Sequence, residues 1–295
     1  MHSTASDGTD PPAYLAQLAR EAGLSAIALT DHDTTAGLQA CAAACEQLDI
    51  QFAPGIEVSA DPSAVVDVSI PDEDDPSGAR AHPWGTLHIL GLFVRHDAPS
   101  LITISNRMRA ARDSRNPAIV ARLQKLGLNI DYAEVQSLAK QQGTQIIGRP
   151  HIAQVLMEKG YVDDITDAFH RYIGQGRPAY ERRDRLPARE AIDAIHQAGG
   201  VAVLAHPIQL KYPDLATLHR FVAQLRDWGL DAIEADHSDH LPAEVAAYQQ
   251  LAADLGLVAT AGSDYHGTRK PIAIGDRRGD MDIFLRLQNL AACYT

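Results

Sequence analysis

Apolar residues recur at spacings of three and four from Pro11 to Ala22, stop at Gly23, and return at once as a short continuous run in SAIALTDHD (25–33). The first pattern predicts an amphipathic helix and the second a strand running into a polar turn. Pro11 and Pro12 suit a first helical turn, and Asp10 is the expected N-cap. A second helix is predicted over Thr35 to Leu48, then a strand in FAPGIEVSA (52–60). Such helix–strand alternation is the signature of a parallel sheet or barrel. The rhythm breaks from Asp61 to Trp84, where PDEDDPSGARAHP is acidic, proline-rich and without period, and so reads as a solvated mobile loop. TLHILGLFV resumes as a strand. From about Ser100 to Arg185 the spacing is helical in three successive stretches, which predicts an inserted helical subdomain over 100–185 between barrel segments 1–99 and 186–295. Alternation then returns through VAVLAHP (201–207), DAIEADHS (231–238) and GLVATAGSDYH (256–266).

Composition narrows the function classes. The 295 residues carry a formal charge of −12, a poor match for clamping long duplex nucleic acid, whose phosphates repel an acidic surface. A small anion is still accessible if cations gather in one cleft. Three cysteines, with Cys41 and Cys45 on one face of a helical stretch, predict buried thiols and a reducing compartment rather than a disulfide frame. No apolar run approaches the ~18 residues of a membrane span. The polar start MHSTASDGTD is unlike a signal peptide, so a cytoplasmic location and no membrane partner are expected.

The 13 histidines carry the chemistry, and their placement matters more than their number. His32 follows AIALTD, His88 lies within TLHILG, His206 follows VAVLA and His266 follows ATAGSDY, while Glu57 sits in PGIEVS and Asp264 lies two residues before His266. In parallel α/β architectures, side chains at the C-terminal strand ends converge on one point. Imidazoles and carboxylates together suit Mn²⁺, Fe²⁺ or Zn²⁺ better than metals selected by thiolate. Two or more such ions activate water and neutralise phosphoryl oxygens.

HSTASDG, LTDHDT, GIEVS, LHILGL, GRPHIA, LAHP and GSDYHG, in that order, resemble the polymerase-and-histidinol-phosphatase (PHP) family, and within it the bacterial nucleoside 3′,5′-bisphosphate phosphatases and 5′→3′ exoribonucleases. The resemblance runs over nearly the whole chain, helical insert included. It implies a distorted (β/α)₇ barrel with up to three divalent metals, manganese foremost and iron, zinc or magnesium as alternatives. By that resemblance His2, Glu57 and Asp264 hold the first metal, with Glu57 bridging. His88 and His151 complete the second, and Asp7, His32 and His266 hold the third. His206 matches the histidine beside the substrate phosphate and, with Asp264, is the expected catalytic pair. Arg149 and Arg177 are the expected phosphate binders.

The start departs from the family pattern, a short strand followed by D-x-H-x-H-S. Here Met-His-Ser stands first, so His2 matches the second histidine of the pair. Either a misassigned start or a fragment is implied, with the usual first strand lacking, an exposed sheet edge and weakened binding of the first metal. Arg107, Arg109, Arg112 and Arg115 follow helical spacing and read as an exposed basic stripe that would guide RNA. His196 and His219 read as helix-surface groups, Asp72 to Asp75 as a solvated charge run, and Glu234, His237 and His240 as cleft rim. The leading expectation is removal of the 3′-phosphate from small nucleoside bisphosphates. The alternatives are exonucleolytic trimming of short 5′-phosphorylated RNA, a non-catalytic PHP module, and histidinol phosphate hydrolysis, against which the helical insert argues.

Overall fold

The computed structural model describes residues 1–65, 85–144, 146–182 and 185–295. Helix α1 (Pro12–Glu21) buries Leu15, Ala16 and Ala19 along one face, as its periodicity requires. Its N-cap is Pro11 rather than Asp10. The Asp10 carboxylate instead accepts a hydrogen bond from the Tyr265 hydroxyl at 2.8 Å, a long-range bond that outcompetes the local cap. Strand β1 (Ala26–Leu29) leads into α2 (Leu38–Gln47), where Cys41 and Cys45 are buried. Strand β2 (Gln51–Asp61) is long because it serves three neighbours: its first half pairs with β1, its second with β3 (Leu87–Leu92), and its last two residues with β4 (Leu186–Pro187). Asp72, Glu73, Asp74, Asp75 and His82 lie outside the described residues.

Between β3 and β4 come α3 (Pro99–Lys125), α4 (Tyr132–Gln141), α5 (Arg149–Glu158) and the single turn α6 (Ile165–Ala168). Helix α3 serves two cores. Leu101, Ile104 and Met108 in its first half pack into the barrel core, while Ile119, Val120 and Leu123 pack with α5 and the segment up to Ala179. Of the exposed basic stripe expected along it, Arg107 and Arg109 are exposed, whereas the other two arginines turn inward. Arg112 and Arg115 are 9% and 7% exposed; Arg112 pairs with Asp33 of the barrel, and Arg115 bonds the Asn116 side chain. Charge periodicity predicts a shared face but not which face meets a neighbour.

The chain then alternates again: α7 (Ala188–Gln197), β5 (Val201–Leu204), α8 (Leu215–Asp227), β6 (Ala232–His237), α9 (Pro242–Leu255), β7 (Val258–Gly262) and α10 (Met281–Ala291). The strand order is β1-β2-β3-β5-β6-β7, with β4 added beside β2. All pairs are parallel except those of β3, which runs antiparallel to β2 and to β5. The sheet curls into a distorted α/β barrel. Among the described residues no pairing joins β7 to β1. A cavity of about 340 Å³ lies there, lined by Ile27 and Ala28 on one side and Phe284 and Leu287 on the other, and reaching Glu57 and Asp264. Residues 1 and 2 cross its end: the Thr30 N–H donates to the Met1 carbonyl at 3.0 Å and the His2 N–H to the Tyr265 carbonyl at 2.8 Å. Among the described residues no helix is long and apolar enough to cross a membrane. His196, expected at the surface, is stacked on Tyr294 and bonded to Asp231, because α7 packs against the C-terminal turn.

Candidate metal centre

The N-terminal loop delivers the first two ligand candidates, and a buried aspartate shapes it. Asp31, at the end of β1, accepts hydrogen bonds from the Ser3 N–H (2.8 Å), Ser3 Oγ (2.7 Å) and Ser6 Oγ (2.6 Å). Residues 3–8 are thereby wound into a tight turn that presents His2 and Asp7 to the barrel. Gly8 closes the turn, where a Cβ would lie 2.3 Å from the His2 carbonyl oxygen. Neither Asp31 nor the serines were singled out from sequence. The acidic flanks of the strand-end histidine in TDHD were the available signal.

Glu57 is the hub. Its Oε2 lies 2.8 Å from His2 Nε2 and 3.8 Å from His32 Nδ1, and its Oε1 contacts His88 Nδ1 and lies 3.1 Å from His206 Nε2. Asp264 Oδ1 is 3.2 Å from His2 Nε2. Asp7 lies 3.5 Å from His266 Nε2 and 3.9 Å from His32 Nε2. Three overlapping groups result, His2–Glu57–Asp264, His32–Glu57–His88 and His2–Asp7–His32–His266, each with its ligand atoms within 4.8 Å of one another. Residues spread from position 2 to position 266 thus meet in one cage.

His151 reaches this region from the insert, at the start of α5. It is fully buried; its Nδ1 accepts the Gly148 N–H at 3.0 Å, so the proton of the neutral ring sits on Nε2. His206 also reaches both Glu57 and His88, its Nε2 lying 3.2 Å from His88 Nδ1. Arg149 is packed over Phe169 and Tyr180 with one bond to the Ile173 carbonyl, whereas Arg177 is exposed. Glu234, His237 and His240, expected at the cleft rim, are buried at 6%, 0% and 3% exposure. Two cations escaped the sequence reading. Lys270 pairs with Asp264, and Arg269 bonds Gln142 and Gln154 of the insert while its Nη1 is buried without a hydrogen-bond partner.

The electrostatics fit a cation cage. Burial favours the neutral form of Glu57, Asp7 and Asp264, yet the surrounding imidazoles hold all three well below the usual carboxylate range. Burial pushes His2 down as well, but bonds to Asp264 and Glu57 win and raise it to about 10. His32, with weaker support, is driven down to about 3 by burial. The buried His32 Nδ1 and His206 Nδ1 have no hydrogen-bond partner. His266 directs Nδ1 at the Asp264 carbonyl (2.7 Å), which leaves Nε2 as the lone-pair face, the orientation metal-binding histidines adopt. Orphaned nitrogens among ionised carboxylates are what a set of divalent cations satisfies. Backbone strain marks the same place: Asp33, His206 and Asp264 all have positive φ.

Comparison with known proteins agrees with this geometry. Residues 1–208 match the PHP domain family. The chain is 32% identical over 268 residues to a phosphoribosyl 1,2-cyclic phosphate 1,2-diphosphodiesterase of Eggerthella lenta, covering 90% of this chain and 92% of that protein. It is 30% identical over 269 residues to a 3′,5′-nucleoside bisphosphate phosphatase of Chromobacterium violaceum (90% and 85% covered). A 5′-3′ exoribonuclease of Haemophilus influenzae is 28% identical over 267 residues (90% and 88% covered). The crystal structure of a protein described as a metal-dependent phosphoesterase from Bifidobacterium adolescentis superposes with a TM-score of 0.81 at 29% identity, covering 98% of this chain and 93% of that one. Fold, cage and relatives together place the chain in the PHP family, as a metal-dependent phosphoesterase.

Proposed function

We propose that this phosphoesterase removes the 3′-phosphate from nucleoside 3′,5′-bisphosphates, with His2, Asp7, His32, Glu57, His88, Asp264 and His266 as ligands for up to three divalent cations. The observation that carries the reading is Glu57, an ionised carboxylate whose two oxygens face four histidines from four different segments. A donor set of imidazole and carboxylate without thiolate favours Mn²⁺, with Fe²⁺, Zn²⁺ or Mg²⁺ as substitutes. When bound, such ions supply Lewis-acid activation of water and neutralise charge on the phosphoryl oxygens.

The residues of the chain divide the remaining work. Glu57 and Asp264 fix the cage, and His206 stands with Glu57 and His88, in the position the sequence reading gave to His151. His151 offers a buried Nε2–H without a partner and is placed to donate to a phosphoryl or leaving oxygen. Arg149 is held rigid by two aromatic faces, and burial lowers its pKa to about 10. With Arg269 and its unpartnered Nη1, it supplies the positive wall for a second phosphate. Arg177, exposed, is an outer contact for the substrate. The relative from Chromobacterium violaceum supports the choice of substrate.

The second reading, trimming of short RNA from a 5′-phosphate end, uses the same cage and is favoured by the exoribonuclease relatives. Orthophosphate release from a nucleoside 3′,5′-bisphosphate, measured beside nucleotide release from a 5′-phosphorylated oligoribonucleotide, decides between them. Faster turnover of the bisphosphate is expected, and its complete resistance to hydrolysis would overturn the first reading.

A further inference from the structure

Strand β6 breaks register against β7. Glu234 pairs with Thr260 and Asp236 with Ala261, which leaves Ala235 as the extra residue of a β-bulge. In a regular strand, residues three apart point to opposite faces. The bulge cancels that alternation, and both Glu234 and His237 turn inward beneath the cage.

Each meets one of the groups already assigned to the centre. Glu234 Oε2 accepts the backbone N–H of His206 at 2.9 Å. His206 sits at φ 24° and ψ 69°, a backbone conformation that is costly without glycine and needs outside restraint. His237 Nδ1 accepts the Asp239 N–H at 3.0 Å, so its ring proton lies on Nε2. That nitrogen is buried without a hydrogen-bond partner and faces Asp264 Oδ2 at 3.7 Å and Glu234 Oε2 at 3.9 Å. Gly262, opposite His237 on β7, completes the arrangement. A Cβ there would lie 2.1 Å from Glu234 Oε1, so the carboxylate occupies the space that any side chain at 262 would claim.

We propose that Glu234 and His237 are positioning residues for the phosphoesterase reaction: Glu234 pins the strained His206 backbone, His237 orients Asp264, and Gly262 is small to admit the Glu234 carboxylate. The proposal rests on the reading of His206 and Asp264 as groups of the metal centre. Partners standing behind metal ligands fix their orientation, and their loss typically costs about 10- to 100-fold in metal affinity or activity.

The test is an Mn²⁺ titration, followed by the electron paramagnetic resonance signal of the free ion, together with kcat and KM for a nitrophenyl phosphate ester and a thermal melt of each variant. Glu234→Ala and His237→Ala are expected to weaken Mn²⁺ binding about 10-fold or more and to lower kcat with little change in KM. Glu234→Gln keeps an acceptor for the His206 N–H and restores most of both. Gly262→Ala is expected to reproduce Glu234→Ala, and the double variant to be no worse than either alone, because both remove one contact. Folded variants that match the wild type in Mn²⁺ affinity and kcat, or that lose only melting temperature, overturn the proposal. A wild type that binds no Mn²⁺ defeats the metal-centre reading itself, and this proposal with it.

Discussion

Arg112 shows how a single residue joins the insert to the cage. Its guanidinium reaches Asp33 Oδ2 at 2.5 Å, and the same carboxylate accepts the Ser59 N–H at 2.8 Å. Asp33 directly follows His32, so this buried pair fixes the loop that presents a ligand candidate. Removing one partner of a buried ion pair leaves the other charge stranded. Arg112→Met is therefore expected to cost about 3 kcal/mol of stability, read by urea unfolding; a loss too small to resolve would show that Asp33 is satisfied without it. Arg149 makes a different prediction. Arg149→Ala should raise KM for a 3′,5′-bisphosphate by about 10-fold or more while leaving a monophosphate ester nearly unaffected, since a charge-assisted contact is worth roughly 1.5–3 kcal/mol. Equal effects on both substrates would place Arg149 outside the second-phosphate wall. His32, His206, Asp264 and His266 were legible in the sequence because strand ends are recognisable by pattern, whereas His2 and Asp7 rested on the resemblance to the family's opening motif. Asp31, Asp33 and Arg269 were not, because a buried polar residue is distinguished only by the partner it finds.

Among the elements, α3 is the one whose role pattern alone could not assign. Its apolar residues change allegiance along its length, from the barrel core to the core of the insert. Leu101→Ala and Leu123→Ala both empty fully buried sites, and each is expected to cost about 2–5 kcal/mol. Hydrogen exchange should separate them: Leu123→Ala loosens α4 and α5 first, whereas Leu101→Ala loosens α7 and the sheet. Identical exchange patterns would mean that the two cores open as one unit. The bulge in β6 belongs to this scale as well. Alternation along AIEADH puts Glu234 and His237 on opposite faces, and only the pairing with β7 brings them together.

The whole molecule gathers three ionised carboxylates into one buried cage, an arrangement in which cations offset the mutual repulsion. Metal and fold are thus linked: saturation at about 100 times the dissociation constant adds roughly 2.7 kcal/mol. Chelation should lower the melting temperature and abolish phosphoester hydrolysis, with both restored by Mn²⁺. A melting temperature indifferent to chelator and metal would contradict a structural role for the ions.

Read alone, the amino-acid sequence determined the class of fold and the strand-end histidines and acids, because each depends on local periodicity and on the kind of donor atom present; the metal-dependent phosphoesterase chemistry followed from the resemblance of its ordered motifs to the PHP family. It did not decide that His206 reaches Glu57 and His88, that Arg112 is buried against Asp33, or that Glu234 and His237 stand beneath the cage. Those facts depend on strand register, on one bulge and on which helix face meets the barrel. They are set by packing between segments far apart in the chain, and no spacing within a segment encodes them.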